Sequence, residues 1–354
     1  MADRHVVPTN IVLGAILVTL LFVRGAGAAG TLERVAAPPD ASPTATRHPG
    51  TTAPSTTATS STAPASTAVP APTTQGVPPG STELPSGPIR AAFYYPWFPE
   101  AWEQGGVDPF TRFAPSAGLY DSSVDSVIDG HLAAMRWGHI DAALASWWGL
   151  DTPTDLRLTK LLDRSVGSGI WWAPYVEQEG YGDPSVAEID ADITALLDRF
   201  DSHPQALLLD GRLVVFVYAD PDDGCAMVDR WTSANAGRVH LVLKVFSGYE
   251  ACAQQPDAWH QYAPANASDA QLPWSYTVSP GFWLAEPGAP ERLARAADRF
   301  RADVQSMVGS GAQFQLVTTF NEWGEGTSVE SAGEWASDSG FGVYLDILHD
   351  IPTR

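Results

Sequence analysis

Cysteine occurs only twice in the 354 residues, at Cys225 and Cys252. No CxxC or HExxH spacing is present, so the sequence offers no metal centre, and no cofactor is expected. No GxGxxG follows a predicted strand, which weighs against a phosphate-cradling nucleotide site. Positive charge is scarce: 20 Lys and Arg face 41 Asp and Glu, for a net charge of −21. Four acids and four bases fall in residues 1–87, so 37 acids face 16 bases in residues 88–354. Such an acidic body excludes nucleic acid and anionic membrane surfaces as natural partners and leaves a neutral ligand such as a glycan. Aromatic residues are missing altogether between Phe22 and Phe93.

Those gaps divide the chain into three parts. Residues 1–29 read as an export signal. A weakly basic start at Arg4 and His5 leads into the 13-residue apolar run Ile11–Val23, short for a transmembrane helix, and then into Ala26, Gly27 and Ala28 as a cleavage site. Arg24, between the run and the small residues, keeps an uncleaved membrane tether through residues 11–23 open as the alternative. Residues 30–87 are rich in Thr, Ala, Pro and Ser and too poor in apolar groups to repay their ordering entropy; a disordered, stalk-like linker is expected. A secreted or extracellular, surface-held domain at 88–354 follows, and a monomer is expected.

From Ile89 the pattern becomes strands alternating with helices. Eight strands are expected: Ala91–Phe98, Asp141–Trp148, Ile170–Glu177, Leu213–Tyr218, His240–Phe246, Trp259–Ala263, Trp274–Val278 and Phe314–Phe320. Helices are expected over 125–137, 154–166, 186–200, 226–236, 290–308 and 344–349, with loops after strands five and six. Eight such units in this length fit a (β/α)8 TIM barrel; a doubly wound sheet is the rival. In an exported chain two cysteines suggest one disulfide, and Cys225 and Cys252 both follow neighbouring strands.

In a barrel the C-terminal ends of the strands converge on one pocket. Those ends here are rich in aromatics, carboxylates and amides, the mixture that suits sugar faces and hydroxyls. Strand eight runs from Phe314 to Phe320 and breaks into Asn321, Glu322, Trp323, Gly324 and Glu325. Two acids three residues apart beside glycines and a tryptophan point to glycoside hydrolysis, with a plain polar turn as the competing reading. The candidate catalytic pair is Glu322 and Glu325. Candidate substrate contacts are Tyr94, Tyr95, Trp97, Trp148, Tyr175, Glu177, His260, Tyr262, Tyr276, Asn321 and Trp323. In the pairs Trp147–Trp148 and Trp171–Trp172 only one ring of each can face the pocket. His260 reads equally as a structural histidine, while Glu179 and Glu330 read as surface or supporting groups.

Five segments together resemble glycoside hydrolase family 99 and its looser relatives. They are Tyr94-Tyr95-Pro96-Trp97, the helix Asp129–Gly138, Ala145–Gly149, Ser279-Pro280-Gly281-Phe282 and Phe320–Thr327. The resemblance implies a (β/α)8 barrel and endo-acting α-mannoside cleavage of a poly- or oligosaccharide. It implies that Glu322 acts as base on the sugar 2-hydroxyl, giving a 1,2-anhydro sugar with net retention. Glu325 would then protonate the leaving oxygen and later deprotonate water. This chain has Gly324 where that family has histidine, which leaves the sugar open. Direct nucleophilic attack, inversion, transglycosylation and a non-catalytic glycan-binding or wall-associated module also remain open at this point.

Overall fold

The computed structural model describes residues 87–353. The expected signal or tether and all of the expected linker except Gly87 lie outside the described residues. Among the described residues no helix is long and apolar enough to cross a membrane.

Ten strands and six α-helices occur among the described residues. In chain order they are β1 (Ile89–Tyr94), α1 (Asp125–Trp137), β2 (Ala142–Trp147), α2 (Pro153–Arg164), β3 (Trp171–Val176), α3 (Val186–Phe200), β4 (Leu208–Leu209) and β5 (Arg212–Val217). Next come α4 (Cys225–Asn235), β6 (His240–Lys244), β7 (Ala258–His260), β8 (Ser268–Gln271), β9 (Ser275–Val278), α5 (Ala297–Ser310), β10 (Phe314–Val317) and α6 (Val343–Asp350). The sheet order is β7-β6-β5-β3-β2-β1-β10-β9-β8, with β4 attached to β5. All neighbours are parallel except β8 on β9 and β4 on β5.

The eight parallel strands are those expected from the sequence. Their sheet curls until its ends, β7 and β9, face each other. Thr277 Oγ1 there donates to the Gln261 carbonyl at 2.6 Å. The result is a nearly closed barrel with helices, consistent with a (β/α)8 fold in which loops follow β6 and β7, rather than an open doubly wound sheet. Every residue of β1, β2 and β3 is buried, as parallel strands covered on both faces must be. The interior is filled by rings: Phe93 lies 5.0 Å from Tyr175, and Phe216 lies 5.1 Å from both His260 and Phe314.

Local chemistry sets several helix ends. Thr152 caps α2 by accepting from the Asp155 N–H, with Pro153 at the first helical position. Ser185 and Glu188 form a reciprocal capping box on α3. Helix α5 starts at Ala297, not at Pro290. The preceding stretch stays extended because Leu293 bridges Phe282 and Arg295 is turned toward the strand ends. At the opposite end of the barrel Arg90 donates to the carbonyls of Gly138, Leu348 and Ile351, binding β1 to the ends of α1 and α6.

Candidate active site

The chain leaves β10 and makes a compact turn over residues 319–330. Thr319 and Thr327 pair backbone N–H to carbonyl at 2.9 Å, Val329 N–H returns to the Thr319 carbonyl, and Glu330 N–H reaches the Phe320 carbonyl. The tip carries Glu322 and Glu325, which are 2% and 5% exposed. Glu322 folds back over its own turn, its Oε1 accepting from the Gly324 N–H at 2.9 Å and the Glu325 N–H at 3.3 Å. Its Oε2 is buried and finds no protein donor. Glu325 Oε2 accepts the Tyr262 hydroxyl at 2.8 Å.

A third acid faces them from the end of β3. Glu177 is buried, close enough to Glu325 to feel its charge, and its Oε1 has no protein partner. Among the described residues no Lys or Arg pairs with any of the three. Burial without a cation favours the neutral form of a carboxyl. Burial pushes Glu177 up to about 8, against a hydrogen bond from Ser146 and with help from the Glu325 charge. Glu325 is pushed up to about 7 by burial, with the Tyr262 hydroxyl holding it down. Glu322 is raised well above the usual range by burial and the Glu325 charge, against the two turn N–H groups.

Aromatic side chains surround the acids. Tyr95 stacks on Trp97 with ring centres 4.4 Å apart, and its phenol feels the charges of Glu177, Glu325 and Glu322. The Tyr175 hydroxyl and Trp97 Nε1 are buried and unbonded by protein. Trp148 is the pocket-side member of its pair, its Nε1 donating to Ser146, while Trp147 points to α2 and donates to Asp155. Glu322, Glu325, Glu177, Tyr95, Trp97, Trp148, Tyr175 and Tyr262 therefore gather at one place.

The remaining expected contacts do not. Tyr94 alternates to the outer face of β1, where its hydroxyl meets His131 Nδ1 at 2.9 Å and its ring meets Trp172. Trp323 is fully buried behind the turn, with Nε1 3.2 Å from both the Tyr120 hydroxyl and Glu330 Oε2. Tyr276 shares the outer face with its register partner Gln315 and donates to Ser268 Oγ. Asn321 spends its amide on the backbone of Tyr95, accepting its N–H at 2.8 Å and donating to its carbonyl at 3.0 Å, which staples the turn to β1. His260 lies inside the barrel, ringed by Phe93, Tyr175 and Phe216; burial and Lys244 hold it neutral, down to about 3.

No protein-family model and no curated protein matches the chain. Solved structures do. A GH99 endo-α-mannosidase from Bacteroides thetaiotaomicron, in complex with bis-tris-propane, superposes with a TM-score of 0.61 at 19% identity, over 74% of this chain and 95% of that one. A second structure of that enzyme gives 0.57. A glycoside hydrolase-like protein gives 0.52 at 13% identity, over 78% and 97% of the two chains. The fold is GH99-like.

Within this GH99-like frame Gly324 has a local cause. A Cβ there would lie 2.7 Å from the Phe110 ring and 3.0 Å from Glu322 Oε1, so Phe110 fills the room a larger residue would need. Sequence reading missed Phe110 and Tyr120, which lie in the long aperiodic connection between β1 and α1. It also missed Lys244, the last residue of β6. The Lys244 ammonium is buried, donates to the Ala219 carbonyl at 2.7 Å and sits 4.8 Å over the Tyr218 ring. An isolated lysine ending an apolar run was the available signal. Cys225 and Cys252 are joined by a disulfide, Cα to Cα 5.3 Å, which ties the start of α4 to the loop after β6. Glu179, Asp183 and Asp223 are close enough to one another to share a cation, but Arg230 already bonds the first two.

Proposed function

We propose that the chain is an exported glycoside hydrolase that cleaves an α-linked, mannose-containing glycan at internal bonds, with retention through the 2-hydroxyl. The observation that carries this reading is the Glu322–Glu325 turn. Two buried carboxyls share one tip, neither is neutralised by a cation, and Glu322 Oε2 is an acceptor without a protein donor. Aromatic faces and unbonded polar atoms of Trp97, Tyr175 and Glu177 lie around them, as a sugar ring with several hydroxyls requires. The GH99-like fold and its α-mannosidase neighbours support the substrate class.

The chemistry follows from the charge state of the pair. Two interacting carboxyls titrate as a unit. Burial raises both carboxyls, so the free pair favours keeping a proton between Glu322 and Glu325. A sugar 2-hydroxyl donating to Glu322 Oε2 would add a third hydrogen bond to the two from the turn N–H groups and stabilise its anion. The proton then belongs on Glu325, where it can be delivered to the leaving oxygen. Glu322 draws the proton from the 2-hydroxyl as that oxygen attacks the anomeric carbon, the glycosidic bond breaks, and a 1,2-anhydro sugar results. Glu325, now ionised, takes a proton from the water that attacks the anomeric carbon, the C1–O2 bond of the strained ring breaks, and Glu322 returns its proton to the 2-oxygen. The sequence of residues 1–29 and 30–87 supports export and a tether; fractionation of producing cells tests it.

Full-length protein incubated with α-mannans and α-mannan oligosaccharides should release internal fragments whose new reducing ends are first seen in the α configuration by proton NMR. A β product would overturn retention, transfer to an added sugar acceptor would mark a transglycosylase, and no product from any α-mannan would reject the substrate class.

A further inference from the structure

The connection between β9 and α5 meets the backbone carbonyls of the turn that carries Glu322 and Glu325 at Gly324, Glu325, Gly326 and Ser328. Trp283 N–H donates to the Glu325 carbonyl at 2.9 Å, and Ala285 N–H to the Gly324 carbonyl at 2.8 Å. Arg295 completes the row, one guanidinium nitrogen donating to the Gly326 carbonyl at 2.8 Å and another to the Ser328 carbonyl at 2.7 Å. The same guanidinium is sandwiched by rings, 3.7 Å from the centre of Trp335, 4.3 Å from Tyr344 and 5.3 Å from Phe113. Cation–π contacts and a planar fork fix its orientation in a way a flexible ammonium could not.

Two glycines make room for this clamp. A Cβ on Gly281 would lie 2.3 Å from Arg295 Cγ and 3.2 Å from the Leu293 carbonyl. Gly326 has φ of +64°, and a Cβ there would lie 2.9 Å from the Trp283 carbonyl and from the Phe113 ring. The glycine of the Ser279–Phe282 segment and the one that follows Glu325 are thus spent on the same object.

We propose that Arg295, passing over Gly281, is a positioning residue for Glu322 and Glu325: it locks the return arm of their turn and so sets how the two carboxyls face each other. Arg295 touches neither acid. It acts by denying the backbone of residues 324–328 any other path, and misplacement of a reacting group by about 1 Å can cost on the order of 10²-fold in rate. The inference rests on the glycosidase reading for its kinetic consequence, but not for its structural one.

The test uses Arg295→Met, which keeps the stem and removes the fork, and Gly281→Ala, which pushes the stem while leaving the charge. In the unliganded full-length protein, carbon-13 carboxyl NMR follows the titration of Glu322 and Glu325. Arg295→Met should melt cooperatively, move at least one of those titrations by roughly 1 unit, and lower kcat about 10-fold or more with KM within about threefold. A folded Arg295→Met whose carboxyl titrations and kcat both match the parent overturns the proposal. If that variant does not fold, Gly281→Ala is measured in the same two ways: a moved titration with a lowered kcat supports the clamp, and parent values for both overturn it. If the parent turns over no glycan, the titrations alone decide the clamp, and the glycosidase reading fails separately.

Discussion

Glu179 and Glu330 sit within a few residues of Glu177 and Glu325, yet they live in a different kind of place. Glu179 accepts from Arg230 on one oxygen and from Trp231 Nε1 on the other at 2.7 Å. Glu330 takes the Tyr120 hydroxyl at 2.8 Å and Trp323 Nε1 at 3.2 Å on one oxygen, with His131 Nε2 at 3.2 Å on the other. All five carboxyls are buried. What separates them is that Glu179 and Glu330 have both oxygens engaged by protein, while Glu177 and Glu322 each keep one acceptor open toward the strand ends. Burial alone therefore does not mark a reacting acid. A buried acid left with an unused oxygen is the better candidate, because an unpaired buried acceptor costs stability that a ligand's donor would offset.

The strongest way to break that comparison is to remove the open oxygen that we place on the sugar 2-hydroxyl. Glu322→Gln keeps shape and the acceptor for the turn N–H groups, but cannot take a proton. Turnover should fall by roughly 10²-fold or more on natural and activated substrates alike, with the fold intact. A variant that still cleaves an activated aryl glycoside at the parent rate would remove Glu322 from the chemistry.

Glu325→Gln should separate the two acids. Loss of the proton donor should abolish turnover of unactivated glycans while sparing a good leaving group to within about 10-fold, because a stable leaving anion needs no proton. Equal losses on both substrate types would show that the roles are wrongly divided.

On the other side of the comparison, Glu179→Ala should leave kcat unchanged and destabilise the protein. It strands the Trp231 N–H and leaves the Arg230 guanidinium, itself partly in water, to Asp183 alone; a loss of about 1–3 kcal/mol is expected in denaturant melts. A fall in kcat at unchanged stability would place Glu179 among the reacting groups and dissolve the distinction.

Most of the frame was legible beforehand. The strand Val214–Val217 announces itself by an unbroken β-branched and aromatic run, and α1 and α3 have the bounds their periodicity gives. The Glu322–Glu325 turn was legible because acids and glycines follow a buried strand without delay. The facing of single residues was not. Tyr94 and Tyr95 are equivalent in sequence, and only the register of β1 sends one to His131 and the other to the acids. Trp323 lies between the two acids in the chain but behind them in space, because the turn tips both carboxyls to one side. Helix α5 begins late because Arg295, far along the chain, claims carbonyls of the turn, a contact no local pattern encodes.

The finest test concerns what holds the proton on Glu325. Burial raises this carboxyl to about 7, and the Tyr262 hydroxyl works against that by donating to its anion at 2.8 Å. In the mechanism we propose, Glu325 carries a proton when the bond breaks, so activity should fall as pH rises through that region. Tyr262→Phe removes the one side-chain donor to Glu325 among the described residues, so the proton should stay on to higher pH. The alkaline limb of kcat/KM should move upward by about 1 unit, the scale of one hydrogen bond to a charged group. The rate on the acid side should change by less than about threefold, since the ring keeps its T-shaped contact with Phe93 at 5.1 Å. A limb that stays in place would mean that a group other than Glu325 sets it. A limb that moves to lower pH would mean that the hydroxyl protects the proton instead, and that Tyr262, not Glu325, is the hydrogen-bond acceptor in the resting site.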